Sequence, residues 1–380
     1  MFAAGSRPGA AEHCRMRAFF SAQPQTTVNT QGCEERRRFN NTGIKYYSHN
    51  RSLHFPFLPL QQLVRQEAPH GNQESGYAVN ADGLALIADY VARRAPPAAR
   101  AFIATAGRDI DSGVTPVRLA QLVALASRHV RPAQALAPSP PERDAALGAG
   151  FDPSHWGLLE ALRIALFLTW SRSAQPAAID TAFRHCLRFA DLGEQCALYR
   201  SLPLLTDGER FLDCATQGCR SNSRTLFEAV ACDSSYPARH FDDTAWRQLV
   251  IKAIFIDAPL WRVTGLDARL SPELARMALD LHDERRSAGR ATPPALWLCL
   301  GTHGGARGMR ALRQALASDP PQAQAAAAWA LVRAGAHDEA LAWLVRQTPP
   351  DSTIALVLHR RDVSQQAFGH LAHHFAKVAP

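Results

Sequence analysis

The sequence lacks the signals of several large protein classes. It has no Cys-x-x-Cys pair, and most of its eight cysteines stand in apolar, helix-like surroundings, so we expect neither a disulfide framework nor a metal site. The longest apolar run, residues 161–170, contains Arg163 and is far shorter than the roughly 20 residues that cross a bilayer. These absences predict a cytoplasmic protein that does not span a membrane, and nothing in the sequence indicates a cofactor.

The excess of positive charge is moderate and evenly spread. The formal net charge is +8 and the isoelectric point about 9.3. The arginines are distributed along the chain, without the basic tracts and interleaved aromatic residues of a nucleic-acid surface. Nucleic acid is therefore not an expected partner. An anionic metabolite remains compatible with this charge balance.

The hydrophobic pattern predicts an all-α fold. Residues 1–80 show no sustained period, and we expect a disordered or mis-started N-terminal extension there. Residues 81–300 carry apolar residues at helical spacing and form the predicted main domain. Residues 301–380 are rich in alanine and predict helical hairpins with HEAT-like α-solenoid character.

Several helix boundaries can be predicted from capping residues. Thr115 before a proline, Asp191 followed by Glu194, and Asp242 are typical first residues of a helix. Asp152 before Pro153 predicts a further helix start by the same logic. We expect one helix to end at Gly107, and residues 132–149 to form a flexible connection.

The most distinctive stretch, residues 219–290, contains a candidate anion site. Asn222 or Ser223 is a natural cap for the helix that follows, and we expect Gly218 to close the preceding helix in a left-handed conformation. Arg220 and Arg224 flank the helix start, where backbone N–H groups can hold a phosphate or carboxylate. The alternative is that Arg220 pairs with Glu228 or Asp233 inside a helix junction.

Glu228 is the candidate acid or base of an enzyme, because it is a carboxylate on an otherwise apolar helix. The more ordinary interpretation is a buried ion pair, with Lys252 as the expected partner. Tyr236 begins a predicted loop that packs on the helix containing Trp246. Both aromatic residues are candidate ligand contacts.

Histidines do not form a convincing metal site. His282 and the two acidic residues after it point in different directions on a helix, and we expect them to be exposed charges. His370, His373 and His374 share a helical face near the C-terminus. An exposed face without a metal is the favoured interpretation there.

The stretch around the candidate anion site resembles the EboA family of bacterial proteins. Its upstream part is the sequence LYRSLPLL of residues 198–205. The remaining matching positions are Arg220 and Asn222, Phe227-Glu228-Ala229, Tyr236-Pro237, Trp246 and Gln248, Lys252-Ala253, Gly265-Leu266 with Arg269, and Ala288-Gly289-Arg290. Arg247 and Arg286 depart from the family pattern, which has Asn and Trp there.

The resemblance implies a role in the traffic of a metabolite precursor, together with other proteins of the Ebo cluster. The family has no established activity. We therefore expect a non-enzymatic binding or adaptor protein for an anionic, aromatic or isoprenoid metabolite. The open alternatives are an enzyme that uses Glu228 as acid or base, and a helical scaffold for protein partners.

Overall fold

Helices make up most of the computed structural model, which describes residues 79–347 and 352–378. Within these ranges no strand forms, and the extended backbone makes only isolated bridges, such as the one between Val79 and Leu205. The predicted all-α fold is confirmed. The expected disorder of residues 1–80 concerns residues outside the described ranges, except that Val79 is buried and Asn80 caps the first helix.

In the described part of the chain, the first seven helices include one central helix, on which four of the others pack. They are α1 Ala81–Arg94, α2 Pro97–Asp111, α3 Pro116–Leu125, α4 Pro140–Gly148, α5 Leu158–Ser173, α6 Pro176–Phe189 and α7 Leu192–Ser201. Helix α5 is buried at nearly every position, and α1, α2, α3 and α7 pack on it. Because a helix that is apolar all round has no face suited to water, the centre of the fold is its expected place.

Local capping decided several of these boundaries as predicted. The Thr115 side chain accepts a hydrogen bond from the backbone N–H of Arg118, and Asp191 and Glu194 form a reciprocal capping box. These bonds satisfy backbone donors that the first helical turn leaves without partners.

Three boundary predictions in this region are wrong. Helix α2 runs through Gly107 to Asp111, since a single glycine costs a helix only about 1 kcal/mol. The stretch 132–149, expected to be flexible, contains α4, which a capping box at Ser139 starts. Asp152 caps only the short 3₁₀ segment Pro153–His155, and α5 begins after Gly157.

The next five helices form the junction that carries the candidate residues. They are α8 Leu212–Arg220, α9 Arg224–Ala231, α10 Tyr236–His240, α11 Asp243–Phe255 and α12 Pro272–Ser287. Helix α9 packs on α7 and α8. The predicted start at Asp242 is confirmed, because its side chain accepts from the N–H of Ala245 at 2.7 Å. Tyr236 and Pro237, expected in a loop, begin α10 instead.

Gly218 does not close a helix in a left-handed conformation, contrary to the prediction. It lies inside α8, where an added Cβ would stand 2.8 Å from Cζ of Tyr199 and 2.9 Å from Cγ2 of Val230. The glycine therefore permits three helices to approach closely.

The last five helices pack on their neighbours in sequence. They are α13 Gly305–Ser318, α14 Pro321–Arg333, α15 His337–Val345, α16 Ser352–Arg360 and α17 Gln365–Val378. Each contacts the next, which confirms the predicted helical-array character. Helix α17 also folds back onto the 3₁₀ segment Leu260–Arg262. One contiguous apolar core includes residues on both sides of position 300.

His282 is buried, whereas the sequence predicted an exposed charge. Only 1 % of its surface is exposed, and Nδ1 lies 2.8 Å from the hydroxyl of Thr292. Burial lowers the pKa of His282, so the neutral imidazole is favoured here. His282 therefore does not form one exposed charged group with the two acidic residues that follow it.

Candidate functional site

Helix α9 begins at the surface with Ser223 as its capping residue. The Ser223 hydroxyl accepts from the backbone N–H of Leu226 at 3.4 Å. Of the two capping residues proposed from the sequence, Ser223 is therefore the one used. Asn222 is exposed, and its side chain has no recorded hydrogen-bond partner among the described residues.

Two arginines flank this helix start. Arg220 ends α8 and is exposed, and within residues 79–347 and 352–378 its guanidinium makes no recorded ion pair. Arg224 is about half exposed and donates from Nε to Oε1 of Glu228 at 2.7 Å. We call Arg220, Asn222 and Arg224 the arginine rim. Backbone donors at a helix start beside guanidinium groups favour an anion.

The predicted pairing of Glu228 with Lys252 is wrong. Glu228 is bound by two arginines, through Oε1 to Arg224 and through Oε2 to Nη1 of Arg262 at 3.4 Å. Lys252 donates instead to the backbone carbonyl of Ser221 at 2.8 Å. The carbonyl groups at the end of α8 carry partial negative charge, which makes this position favourable for an ammonium group.

Lys252 lies in a partly apolar position. Its Nζ stands 5.7 Å from the centre of the Phe227 ring. Burial lowers the pKa of Lys252, although the nearby Cys219 acts in the opposite direction. By binding the Ser221 carbonyl, Lys252 stabilises the connection between α8 and α9, next to the arginine rim.

One buried ionic contact of the junction was not predicted from the sequence. Asp233 follows α9 and adopts a left-handed backbone with φ of 58°. Both of its carboxylate oxygens accept from Nε of Arg262 at 3.1 Å, and Nη2 of Arg262 contacts Oδ2. The backbone also joins the two residues, since Asp233 N donates to Arg262 O at 2.8 Å. We call Asp233, Arg262 and Glu228 the charge bridge.

Burial by itself would raise the pKa of Asp233. Hydrogen bonds from His155 and Arg262 outweigh that effect, and the pKa of Asp233 is lowered. Nδ1 of His155 lies 3.3 Å from Oδ2 of Asp233. The sequence carried one usable signal, because Asp is among the few residues that tolerate a left-handed backbone. It gave no indication of the partner 29 residues later.

A second buried ion pair adjoins the junction. Arg200 contacts the carboxylate of Glu160 near the start of α5, and its guanidinium carbon lies 6.0 Å from the centre of the Trp156 ring. Burial raises the pKa of Glu160 in spite of this partner. Arg200 belongs to the LYRSLPLL stretch that resembles the family, but the sequence predicted no role for it.

The two aromatic candidates are core residues. The Tyr236 hydroxyl donates to the carbonyl of Gly208 at 2.6 Å, and burial raises the Tyr236 pKa. Trp246 is 1 % exposed and lies under the guanidinium of Arg269, at 4.6 Å. The structure therefore brings Arg220, Asn222, Arg224, Glu228 and Lys252 to one junction and places Tyr236 and Trp246 inside the protein.

Both departures from the family pattern make ion pairs. Arg247 lies 3.7 Å from Asp243 within α11. Arg286 donates to Asp319 at 3.0 Å and so joins α12 to the end of α13. The substitution at position 286 thus connects the junction helices with the C-terminal array.

Fold and site together define a multi-helical protein with a buried charge bridge beneath an exposed arginine rim. The chain belongs to the EboA family: the family model, described as metabolite traffic protein EboA, matches residues 84–301. Comparisons with curated proteins and with solved structures gave no match.

Two features are absent from residues 79–347 and 352–378. None of the helices in that part of the chain is long and apolar enough to cross a membrane. In the same ranges, no three His, Cys, Asp or Glu side chains come together in a group suited to a metal ion.

Proposed function

We propose that this protein is a non-enzymatic binding or adaptor protein of metabolite traffic, and that its ligand is an anionic metabolite held at the arginine rim. The carrying observation is Arg220. It is an exposed guanidinium beside the start of α9, without a recorded carboxylate partner among the described residues. Arg224 and Asn222 supply further donors there, while Glu228, Lys252, Tyr236 and Trp246 hold the junction.

The state of Glu228 favours binding over catalysis. A general acid or base must reach the proton that it transfers. Both oxygens of Glu228 are engaged by arginines, at 2.7 Å and 3.4 Å. The alternative of an enzyme acting on an isoprenoid or aromatic precursor would require Glu228 to leave one of these partners.

The partners that fit this proposal are other proteins of the Ebo cluster, in the cytoplasm. A secondary-metabolite precursor with a phosphate or carboxylate would suit the rim, since guanidinium groups bind both anions in bidentate fashion. The scaffold alternative rests on α13–α17, which extend beyond the family-matched segment. Under that alternative these helices, and not the rim, would bind a partner.

The test compares wild type with Arg220→Glu and with Arg310→Glu. Arg310 is an exposed arginine on α13 that makes no ion pair with any residue of the described part of the chain. Its reversal changes the net charge by the same amount. We would titrate each protein with inorganic pyrophosphate by calorimetry, and examine protein purified from its own host by native mass spectrometry. Losing a charged contact and adding repulsion should weaken binding at Arg220 about ten- to a hundredfold.

The control should bind pyrophosphate like wild type. If Arg220→Glu also binds normally and retains the same co-purifying molecule, the rim is not the site. A wild-type protein that arrives without a small molecule but with another polypeptide would favour the scaffold alternative.

A further inference from the structure

Gln365, the first residue of α17, is a buried amide with every polar group in use. Its Nε2 donates to the carbonyl oxygens of Trp261 and Val263, each at 3.0 Å. Its Oε1 accepts from the backbone N–H of Asp267 at 3.3 Å, and its own N–H donates to Oδ2 of Asp267 at 2.9 Å. Only 8 % of Gln365 is exposed. Buried polar networks that are fully satisfied hold the backbone in one arrangement.

The two carbonyl groups that Gln365 binds lie on either side of Arg262. The backbone of this residue is thereby fixed from α17, and its side chain contacts Asp233 and Glu228 in the charge bridge. Neighbouring contacts support the arrangement. The rings of Trp261 and Phe368 lie 6.1 Å apart, and a Cβ on Gly369 would stand 2.8 Å from Cδ1 of Trp261.

Arg262 determines how much of the Glu228 charge is left for Arg224. One oxygen of Glu228 faces Arg262 and the other faces Arg224. While both contacts exist, the Glu228 carboxylate is shared between Arg224 and Arg262, although Arg262 also binds Asp233 and Arg224 also lies 3.9 Å from the exposed Asp257. Arg220, which makes no ion pair among the described residues, keeps the rim positive. If Arg262 moved away, Glu228 would neutralise Arg224 alone, and the rim would attract an anion less strongly.

We infer that Gln365 is a positioning residue for the arginine rim. By fixing the backbone on both sides of Arg262, it maintains the shared ion pair of Glu228 and leaves Arg224 available to an anion. The inference rests on the proposed function. Since α17 lies beyond the family-matched residues 84–301, the C-terminal array of this chain sets the affinity of a site in the family region.

The experiment uses the full chain and inorganic pyrophosphate as the probe. Gln365→Met keeps the length of the side chain and removes its donors. Gln366→Met is the matched control, because Gln366 is exposed on the same turn. Exposed ion pairs are worth up to about 1 kcal/mol, so we expect Gln365→Met to bind pyrophosphate about two- to fivefold more weakly. The control should bind like wild type.

A double-mutant cycle separates positioning from general loosening of the fold. In an Arg224→Gln background, Gln365→Met should cause no further loss, because its effect passes through Arg224. The Nε–H NMR signal of Arg224 should also shift in Gln365→Met and stay unchanged in Gln366→Met. Should Gln365→Met fail to fold by circular dichroism, Gln365→Asn gives the same cycle, since its amide is one methylene group shorter and cannot keep the bonds to both carbonyl groups.

Two results would overturn the inference: unchanged pyrophosphate binding in Gln365→Met, or an equal loss that persists without Arg224. Failure of the proposed function looks different. In that case Arg220→Glu and Arg224→Gln would themselves bind pyrophosphate like wild type.

Discussion

Replacing Arg262 by leucine tests whether the charge bridge holds the junction together. The side chain of Asp233 is 5 % exposed and that of Arg262 is 14 % exposed, so the substitution leaves a carboxylate buried with little access to water. Removing one partner of a buried pair costs about 3–5 kcal/mol. His155 still contacts Asp233, and we therefore expect a loss near 3 kcal/mol, at the lower end of that range.

Urea unfolding at pH 7, followed by circular dichroism, measures this loss. The control is the double variant Arg262→Leu/Asp233→Asn. Asparagine tolerates the left-handed backbone of position 233 and carries no charge, so the double variant should be more stable than the single one. The charge bridge does not hold the junction if Arg262→Leu unfolds within about 1 kcal/mol of wild type, which is the loss expected of an exposed pair. The same conclusion follows if the second substitution restores no stability.

The pH dependence provides an independent check with a definite sign. In wild type the pKa of Asp233 is lowered from its ordinary value of 3.8. Its stabilising contribution is therefore fully present above about pH 4 and is lost as the pH falls through the lowered folded-state pKa. Without Arg262, burial should raise the pKa of Asp233. Protonation of this carboxylate at low pH should then reduce the destabilisation of the variant. The stability difference between wild type and Arg262→Leu should shrink as the pH falls from 7 to 4.

Two further predictions concern packing. Gly218→Ala places a methyl group against Tyr199 and Val230 and should lower the unfolding free energy by about 1–3 kcal/mol. The control Gly148→Ala, with no atom within 4 Å of the added Cβ, should be neutral or slightly stabilising. Equal effects of the two substitutions in urea unfolding would contradict the close approach at Gly218. Truncation after Arg290 should give a protein that is insoluble or unfolds without cooperativity, because it removes the buried Leu296 and Trp297 and the whole of α17. A soluble fragment with a sharp unfolding transition would show instead that residues 81–290 fold alone.

The truncation result also bears on the predicted division of the chain. The separation of residues 81–300 from 301–380 stays a prediction, since a change of composition does not show which surfaces are buried. In the structure the segment Pro294–Cys299 packs on both α12 and α14. The ion pair between Arg286 and Asp319 crosses the same boundary.

The sequence by itself determined what depends on near neighbours in the chain. The helical class and the caps at Thr115, Asp191 and Asp242 follow from contacts between residues three or four positions apart, which any observer of the sequence can enumerate. The same locality explains why the exposed helix start beside Arg220 and Arg224 could be predicted.

Only the tertiary structure decided which charges meet. Glu228 pairs at 3.4 Å with Arg262, 34 residues away, and not with Lys252, whereas its contact with Arg224 is local, four residues apart on one helix. Asp233 pairs with Arg262, which lies 29 residues later in the chain. Gln365 donates to two carbonyl groups that lie about a hundred residues earlier. Periodicity carries no information about such pairs, because burial and ion pairing are settled by the packing of whole helices. The physical reason is that a charge removed from water costs free energy unless it is paired, and the fold decides which charges are removed from water and which partners lie beside them.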